Sequence, residues 1–314
     1  NPADAIWVAP RAPTDEWNMW FREHLDAMLE RLITNFIAFE GVDPNRVYLN
    51  GYSAGGDGAY QLGPRMADSW AGVGMSAGHP NDASPLNLRN TAFAIHVGGD
   101  DVAFDRHLKA EEWGLALEAL AAADPGGYPN QWQVHEGKPH WMDLADAVSI
   151  PFLQSHTRNP IPNKVVWRQQ AFKKPRFYWL ATDTATLAEQ AEISAAYQDN
   201  TVELSEVNGV NTLSVRLSDA MLDLDGPITV THAGTELFNG KLTRSIEVLH
   251  RTLAERGWLL QVGLDRPWAL PVPPPRTRTC GGRSTRDGTR PPRMLPGAAA
   301  TTAPDRSPRS PHVS

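Results

Sequence analysis

Apolar residues recur at three- and four-residue spacing from residue 14 to residue 40, which is the pattern of an amphipathic helix. Gly41 and the Asp43-Pro44-Asn45 turn follow this stretch and are typical of a helix end. The pattern therefore predicts one long helix over residues 14–40. Ahead of it, the apolar residues at positions 5–10 are typical of a strand.

Short runs of strand-forming residues alternate with helical patterns over the next hundred residues. Strands that alternate with helices of ten or more residues are joined by crossover connections, which give a mostly parallel sheet. We therefore predict an α/β domain over residues 1–159, in which the carboxyl ends of the strands share one edge of the sheet. The predicted strands lie at residues 47–50, Gly72–Ser76, 91–97 and 131–135, and the predicted helices at 57–66 and 106–122.

Shorter β-like runs, separated by turn residues, follow from residue 160 onward. Ala233-Gly234 is typical of a hairpin turn, and residues 245–256 have a helical pattern. Residues 160–257 are therefore predicted to form a separate small β-rich module. Its β-like runs lie at residues 164–170, 176–182, 201–205, 212–217 and Ile228–His232.

The charge of the chain is unevenly distributed. The 314 residues carry a net charge of −7, which argues against a general nucleic-acid binder, and no apolar run is long enough to span a membrane. Residues 266–314 hold nine Arg, no Lys and eleven of the 26 Pro. Because this composition cannot bury a core, we predict a disordered tail over residues 258–314. The periodic pattern stops abruptly at Gly257, so we expect a frameshift near that residue, with a genuine basic tail as the alternative.

Gly51-Tyr52-Ser53-Ala54-Gly55 lies between a predicted strand and a predicted helix. The small residues on both sides of Ser53 allow a sharp turn that exposes its hydroxyl at the carboxyl edge of the sheet. In that place the amide of Ala54 and the helix N-terminus can face a developing oxyanion. The sequence therefore predicts a nucleophilic serine. The alternative is a helix-capping serine in a glycine-rich turn.

A serine hydroxyl becomes a good nucleophile when a histidine held by a carboxylate takes its proton, with the chain order serine, acid, histidine. Asp101 follows the strand predicted at residues 91–97, so we expect it at the same sheet edge as Ser53. Asp105 and Asp100 stand beside it, and the sequence alone does not fix which carboxylate turns inward. Asp101 is the first choice for the acid.

His140 lies in the loop after the last strand predicted for the α/β domain, which is where the base of such a triad belongs. It is our first choice for the base, with His135 and His156 as the alternatives.

Aromatic residues near these positions are candidates for the wall of an apolar substrate pocket. Trp141, Tyr52 and Trp17 are the predicted substrate-binding residues, although core packing is the stronger expectation for Trp17 and for Trp20.

A metal site is a weak alternative. The single cysteine, Cys280, excludes a cysteine-rich metal site and an internal disulfide. The nitrogen and oxygen ligands nearest the predicted acid fit no common metal motif, so no metal and no organic cofactor is predicted. Those ligands are His96, Asp100, Asp101, Asp105 and His107.

Three separated stretches carry a resemblance to a known family: residues 43–56, Gly98-Gly99-Asp100-Asp101 and Gly137-Lys138-Pro139-His140-Trp141. They resemble α/β-hydrolases, and most closely the esterase branch near polyhydroxybutyrate depolymerases, feruloyl esterases and prolyl-oligopeptidase-like proteins. Over residues 5–158 the resemblance implies a serine esterase that acts on a small-molecule or polymer-linked ester without a cofactor. It also implies the roles of four residues: Ser53 as nucleophile, Asp101 as orienting acid, His140 as general base and Ala54 as an oxyanion-hole donor.

The sequence departs from this family at its N-terminal end. Family members place several strands before the elbow helix, and a loop after the third strand supplies a second oxyanion amide. Most of those strands are missing here, so we expect the sequence to be a fragment of a longer hydrolase. The alternative functions are those of a prolyl-oligopeptidase-like peptidase, a catalytically inactive binding protein of the same fold, and polymer binding by residues 160–257.

Overall fold

The computed structural model describes residues 4–12, 14–256 and 264–268. By its contacts the chain divides after Val272. All described residues lie before this division, so most of the tail predicted over residues 258–314 lies outside them.

Four parallel strands form the first sheet. Their order is β1-β2-β3-β4, so each strand pairs with its neighbours along the chain. The two central strands are buried along their whole length, as expected for a parallel sheet that is covered on both faces. The predicted α/β fold with a mostly parallel sheet is confirmed. The strands are β1 (Tyr48–Tyr52), β2 (Gly72–Ser76), β3 (Ala92–Gly98) and β4 (Asn130–His135).

Four α-helices accompany this sheet. The second of them follows β1 directly and packs on β1 and β2. The fourth was not predicted, because its six residues, with a proline among them, are too few to show a helical period. No helix in the described ranges combines the length and the apolar character needed to cross a membrane. The helices are α1 (His24–Glu40), α2 (Ala54–Arg65), α3 (Arg106–Ala123) and α4 (Ser149–Gln154).

The single helix predicted over residues 14–40 is wrong. A 3-10 helix at Trp17–Phe21 precedes α1, and Arg22 between them has an extended backbone. Packing overrides the helical pattern here, because Met19 is fully buried and a Cβ on Gly58 of α2 would lie 2.7 Å from Cβ of Trp20.

The strand predicted at residues 5–10 is also wrong, because these residues have no regular secondary structure. Their large apolar side chains, those of Ile6, Trp7 and Val8, are about half exposed. A strand needs a neighbour to pair with, and these residues have none in the described part of the chain.

Residues 164–240 together with residues 264–268 form two further sheets, and helix α5 (Ile246–Arg256) follows β12 as predicted. One sheet has the order β12-β11-β9-β8-β5 and the other β13-β10-β7-β6. The predicted hairpin turn at Ala233-Gly234 joins β11 to β12. The strands are β5 (Lys164–Arg168), β6 (Arg176–Phe177), β7 (Leu180–Ala181), β8 (Glu192–Gln198), β9 (Thr201–Asn208), β10 (Leu213–Leu217), β11 (Ile228–His232), β12 (Thr235–Gly240) and β13 (Leu264–Trp268).

Three features of these sheets differ from the prediction. The single run predicted at residues 176–182 is divided into two paired strands, β6 and β7. β8 was not predicted, because its central Ser194-Ala195-Ala196 gives little apolar alternation. The prediction of a disordered tail is wrong for β13, which pairs with β10 in antiparallel register along its whole length. The composition of the tail, averaged over many residues, does not reveal that a five-residue segment can complete a sheet edge.

Buried apolar side chains connect the parallel sheet to the strands that follow it. One continuous hydrophobic cluster contains Met19 and Phe93 from the first part of the chain and Trp167 and Leu204 from the second. The boundary near residue 160 stays a prediction. The parallel sheet is thus supported by residues from both parts of the chain.

Candidate active site

Ser53 lies in a sharp turn between β1 and α2. Its backbone is in a strained conformation with φ 56° and ψ −119°, which a residue with a side chain rarely adopts. Two backbone hydrogen bonds of 2.9 Å fix the turn: the amide of Ser53 donates to the carbonyl of Ser76, and the amide of Asp57 donates to the carbonyl of Ser53. The turn therefore holds the serine side chain at the carboxyl end of β1, as the sequence predicts.

The glycines around Ser53 are not equally necessary. A Cβ on Gly51 would overlap the carbonyl oxygen of Gly55, whereas a Cβ on Gly55 itself would meet nothing within 4 Å. A Cβ on Gly56 would lie 2.6 Å from the carbonyl oxygen of Ser76, and one on Gly78 would overlap the backbone of Gly56. The turn therefore needs Gly51, and the close approach of the next loop needs Gly56 and Gly78. The sequence pattern around Ser53 points to Gly51 and Gly55 alone, and it does not reveal the need for Gly56 and Gly78.

Asp101 follows the end of β3 and is the aspartate that turns inward. It is 3% exposed, whereas Asp100 and Asp105 lie at the surface. Its Oδ2 lies 2.6 Å from Nδ1 of His140, and its Oδ1 lies 3.4 Å from Nη1 of Arg106. The contact with Arg106 was not found from the sequence, since an arginine five residues from an aspartate in a loop is an ordinary pattern.

His140 lies in the loop after β4, between Ser53 and Asp101. Its Nε2 is 2.9 Å from Oγ of Ser53. The carboxylate of Asp101 can only accept, so Nδ1 of His140 carries the proton and Nε2 is left to accept the serine proton. The structure thus brings Ser53, His140 and Asp101 into one hydrogen-bonded chain.

The two alternative histidines lie elsewhere. Nε2 of His135 contacts Nδ1 of His96 at 3.1 Å, with both rings buried. His156 lies just past the end of α4, and its Nδ1 is 2.9 Å from the carbonyl oxygen of Phe152 in that helix. Neither ring contacts the hydroxyl of Ser53.

Backbone hydrogen bonds hold together the loop that carries Asp101 and the loop that carries His140. The amide of Asp100 donates to the carbonyl of Lys138 at 2.9 Å, and the amide of Gly99 donates to the carbonyl of His135 at 2.8 Å. A Cβ on Gly98 would overlap the carbonyl oxygens of Lys138 and Pro139. Glycine at position 98 is therefore a condition for the close approach of the two loops.

Tyr52 fixes the position of the loop that carries His140. Its hydroxyl donates to the carbonyl of His140 at 2.6 Å and accepts from the amide of Met142 at 3.2 Å. Burial raises the pKa of Tyr52, so the hydroxyl stays protonated and able to donate. Its ring lies 5.4 Å from the ring of Trp141. Substrate binding by Tyr52 stays a prediction beside this structural contact.

The other predicted pocket residues differ in exposure. Trp141 is 55% exposed next to His140, and Trp17 is 73% exposed on the 3-10 helix. The expected core packing is therefore wrong for Trp17, and it is confirmed for Trp20, which is partly buried against the hydrophobic core.

Ala54 is the first residue of α2, so its amide has no partner within the helix. The positive end of the helix dipole lies at this amide, next to the hydroxyl of Ser53. This placement suits the amide for stabilising a negative oxygen.

The nitrogen and oxygen ligands considered for a metal do not converge. Nδ1 of His107 contacts the backbone carbonyl of Asp101 at 3.2 Å, and His96 faces His135. Across the described ranges, no three His, Cys, Asp or Glu side chains form a group that could hold a metal ion.

This chain shows little similarity to known proteins. No family model matches the chain, and no curated protein matches it. Among solved structures, a carboxylesterase from Bacillus cereus is 16% identical, with a TM-score of 0.35 over 42% of this chain and 60% of that one. A thermostable esterase is 19% identical, with a TM-score of 0.34 over 46% of this chain and 42% of that one. The chain thus spans less than two thirds of the length of either structure.

Proposed function

We propose that this chain is a serine hydrolase that cleaves carboxylic esters. The observation that carries the proposal is the hydrogen-bonded chain from Ser53 through His140 to Asp101, with distances of 2.9 and 2.6 Å. The strained turn at Ser53 supports it, because a turn between a parallel strand and a helix exposes the hydroxyl to a substrate.

The contacts support a two-step reaction. Nε2 of His140 takes the proton of Ser53, and Oγ attacks the ester carbonyl to form a tetrahedral intermediate. The amide of Ala54 stabilises the oxyanion, and the buried carboxylate of Asp101 stabilises the charged imidazole. His140 then protonates the alcohol as the carbonyl–oxygen bond breaks, which leaves an acyl group on Ser53. Water, deprotonated by His140, then attacks the acyl carbonyl. The bond to Oγ of Ser53 breaks, His140 returns the proton to Ser53, and the carboxylic acid is released.

Exposed apolar side chains near the triad favour an apolar substrate. Val102 and Phe104, which follow the acid, are 66% and 75% exposed. Trp141 and Leu144, which follow the base, are 55% and 67% exposed. Large side chains that stay accessible at a site suit contact with a ligand, so an apolar acyl or alcohol group is expected. The choice of ester over amide comes from the resemblance of residues 43–56 to esterases.

Labelling with a fluorophosphonate probe tests the proposal, because the probe forms a bond only with an activated serine. We expect the full chain to be modified at Ser53 and to hydrolyse para-nitrophenyl esters of short and medium acids. The Ser53→Ala variant should not be labelled, and its hydrolysis rate should fall by about 10⁴-fold or more. Ser205→Ala, at an exposed serine of β9, is the matched control and should behave like the unchanged protein.

Two results would decide against the proposal. Folded protein that takes up no probe at Ser53 would point to the inactive binding protein. Cleavage of a para-nitroanilide as fast as the ester with the same acyl group would point to the peptidase.

A further inference from the structure

The mechanism uses one oxygen of Asp101 and leaves the other to Arg106. We infer that Arg106 is a positioning residue, which holds the second oxygen of Asp101 and sets the pH range in which His140 acts as a base. This inference rests on the proposed function of the triad.

The contact lies in the interior of the protein. The side chains of Asp101 and Arg106 are 2% and 10% exposed, and Nη1 of the arginine lies 3.4 Å from Oδ1 of the aspartate. Nη1 also donates to the carbonyl of Ala103, while Nε is buried and makes no hydrogen bond to the described residues. A guanidinium keeps its charge at any pH that a protein tolerates. Arg106 is therefore a fixed positive charge beside the acid of the triad.

An unusual piece of backbone places this charge. Phe104 and Asp105 are consecutive residues with φ 57° and 55°, and helix α3 begins with Arg106 directly after them. Residues with a side chain rarely adopt this left-handed conformation. The ring of Phe104 lies over the guanidinium, with 4.9 Å from Cζ to the ring centre. The turn thus brings Arg106 beside Asp101 and covers it with an aromatic ring at the rim of the site.

Other charged and titratable groups also face this region. Asp57 on α2 interacts with Arg106, which acts to lower the pKa of Asp57, although burial raises it by more. Asp143 and Asp146 of the loop after β4 interact with Tyr52 of β1, as Asp101 does, and Nδ1 of His107 on α3 lies 3.2 Å from the carbonyl oxygen of Asp101. All of these groups are unchanged in a variant at position 106, so a change in the pH profile is due to the arginine.

The position of Arg106 has two opposite consequences. Its contact orients the carboxylate for Nδ1 of His140, which favours catalysis. Its positive charge also opposes protonation of His140 through the same carboxylate. Removing the charge should therefore move the acid limb of the kcat/KM profile, which reports protonation of the base, to higher pH. A residue that only supports the fold would lower the activity and leave the acid limb in place.

The test compares Arg106→Gln, Arg106→Lys and the full unchanged chain. For Arg106→Gln we expect the acid limb to move up by about 0.5–1 pH unit and kcat to fall about tenfold. Arg106→Lys keeps the charge, so its acid limb should stay within about 0.3 units of the unchanged protein. The matched control is Lys109→Gln, which removes an exposed cation from the same helix and should leave both quantities unchanged.

An acid limb that does not move in folded Arg106→Gln, or that moves equally in Arg106→Lys, overturns the inference. If Arg106→Gln does not fold, Arg106→Met serves for the same measurement, because it keeps an apolar stem against Phe104. The NMR titration of His140 in the same proteins should show the same upward shift without any substrate. This readout separates the two proposals: absence of probe labelling at Ser53 refutes the hydrolase, whereas an unshifted titration refutes the role of Arg106.

Discussion

Left-handed residues occur for different reasons in the parallel sheet and in the two sheets formed by β5–β13. In the β11–β12 hairpin, Ala233 and Gly234 have positive φ because a two-residue turn between paired strands requires it. Around the parallel sheet, connection of the strands does not require such residues. They occur nevertheless, and all but Tyr128, which precedes β4, follow the carboxyl end of a strand: Ser53, Ala77, Asn81, Phe104, Asp105, Asp143 and Leu144. Strain in this part of the molecule accompanies the proposed chemistry.

The glycines of the two regions differ in the same way. Gly51 and Gly98, at the ends of the parallel strands, have no room for a Cβ, because another segment of backbone occupies that space. Gly234 in the hairpin has nothing within 4 Å of the place where a Cβ would lie. The site region therefore needs glycine for close packing, and the hairpin needs it for its backbone torsion.

Among the changes that test this difference between the two regions, the largest effect is expected when close packing at the turn of Ser53 is disturbed. In Gly51→Ala the new methyl group would overlap the carbonyl of Gly55, so the turn must move and Ser53 with it. A displacement of about 1 Å at a reacting group costs on the order of 100-fold in rate, so ester hydrolysis should fall by at least that factor. Hydrolysis rates and the rate of probe labelling measure the effect.

Gly55→Ala is the matched control within the same motif. Its methyl group has open space, and alanine is the better helix former by about 1 kcal/mol at this position in α2. We expect activity within a few fold of the unchanged protein. Equal losses in the two variants would mean that the motif needs both glycines and that the steric distinction is wrong.

Local patterns predict the strands of the parallel sheet better than the contacts between their loops. β2 has the predicted bounds, because its residues are strand formers between clear turn signals. The contact between Gly56 and Gly78 joins residues that are distant in sequence, and no local pattern reports it. The choice of Asp101 over its neighbours depends on which side chain the turn after β3 directs inward, and the sequence left that open. The catalytic roles of these residues stay predictions.

The same limit applies to the N-terminal region and to the two sheets formed by β5–β13. The amphipathic pattern of residues 14–40 does not reveal the break at Arg22, because the break results from packing of the 3-10 helix on α2. β13 is found only when its partner β10 is known. The single sequence therefore does not show which distant segments pair or pack against each other.

A smaller effect is expected from the histidine pair in the parallel sheet. Burial, with a smaller contribution from His135, lowers the pKa of His96 to about 4. Since its ordinary value of 6.5 applies in the unfolded chain, the folded state binds fewer protons between these values. The contribution of neutral His96 to the free energy of unfolding is therefore fully present above about pH 6.5. It decreases by about 3 kcal/mol as the pH falls to about 4. Urea unfolding at a series of pH values measures this dependence.

Replacement of the buried imidazole tests the assignment. His96→Gln should lose most of the decrease of about 3 kcal/mol in the free energy of unfolding between pH 6.5 and 4. This expectation holds whatever the stability of the variant at neutral pH. His232→Gln, in strand β11 of the other region, is the control and should keep the dependence of the unchanged protein. A steep decrease that survives in His96→Gln would show that other groups cause it.

The smallest effect is expected at the β11–β12 hairpin, where a substitution changes only the energy of the backbone torsions. Gly234→Ala should lower the free energy of unfolding by about 1 kcal/mol, because alanine must take a left-handed conformation without any steric clash. Ala233→Asn should raise it by about 0.5 kcal/mol, since asparagine tolerates positive φ and Asn-Gly is favoured in two-residue turns. Urea unfolding measures both changes, and hydrolysis by both variants should equal that of the unchanged protein. If Gly234→Ala lost activity as Gly51→Ala is expected to, the hairpin would be coupled to the site, and strain in the two regions could no longer be assigned to separate causes.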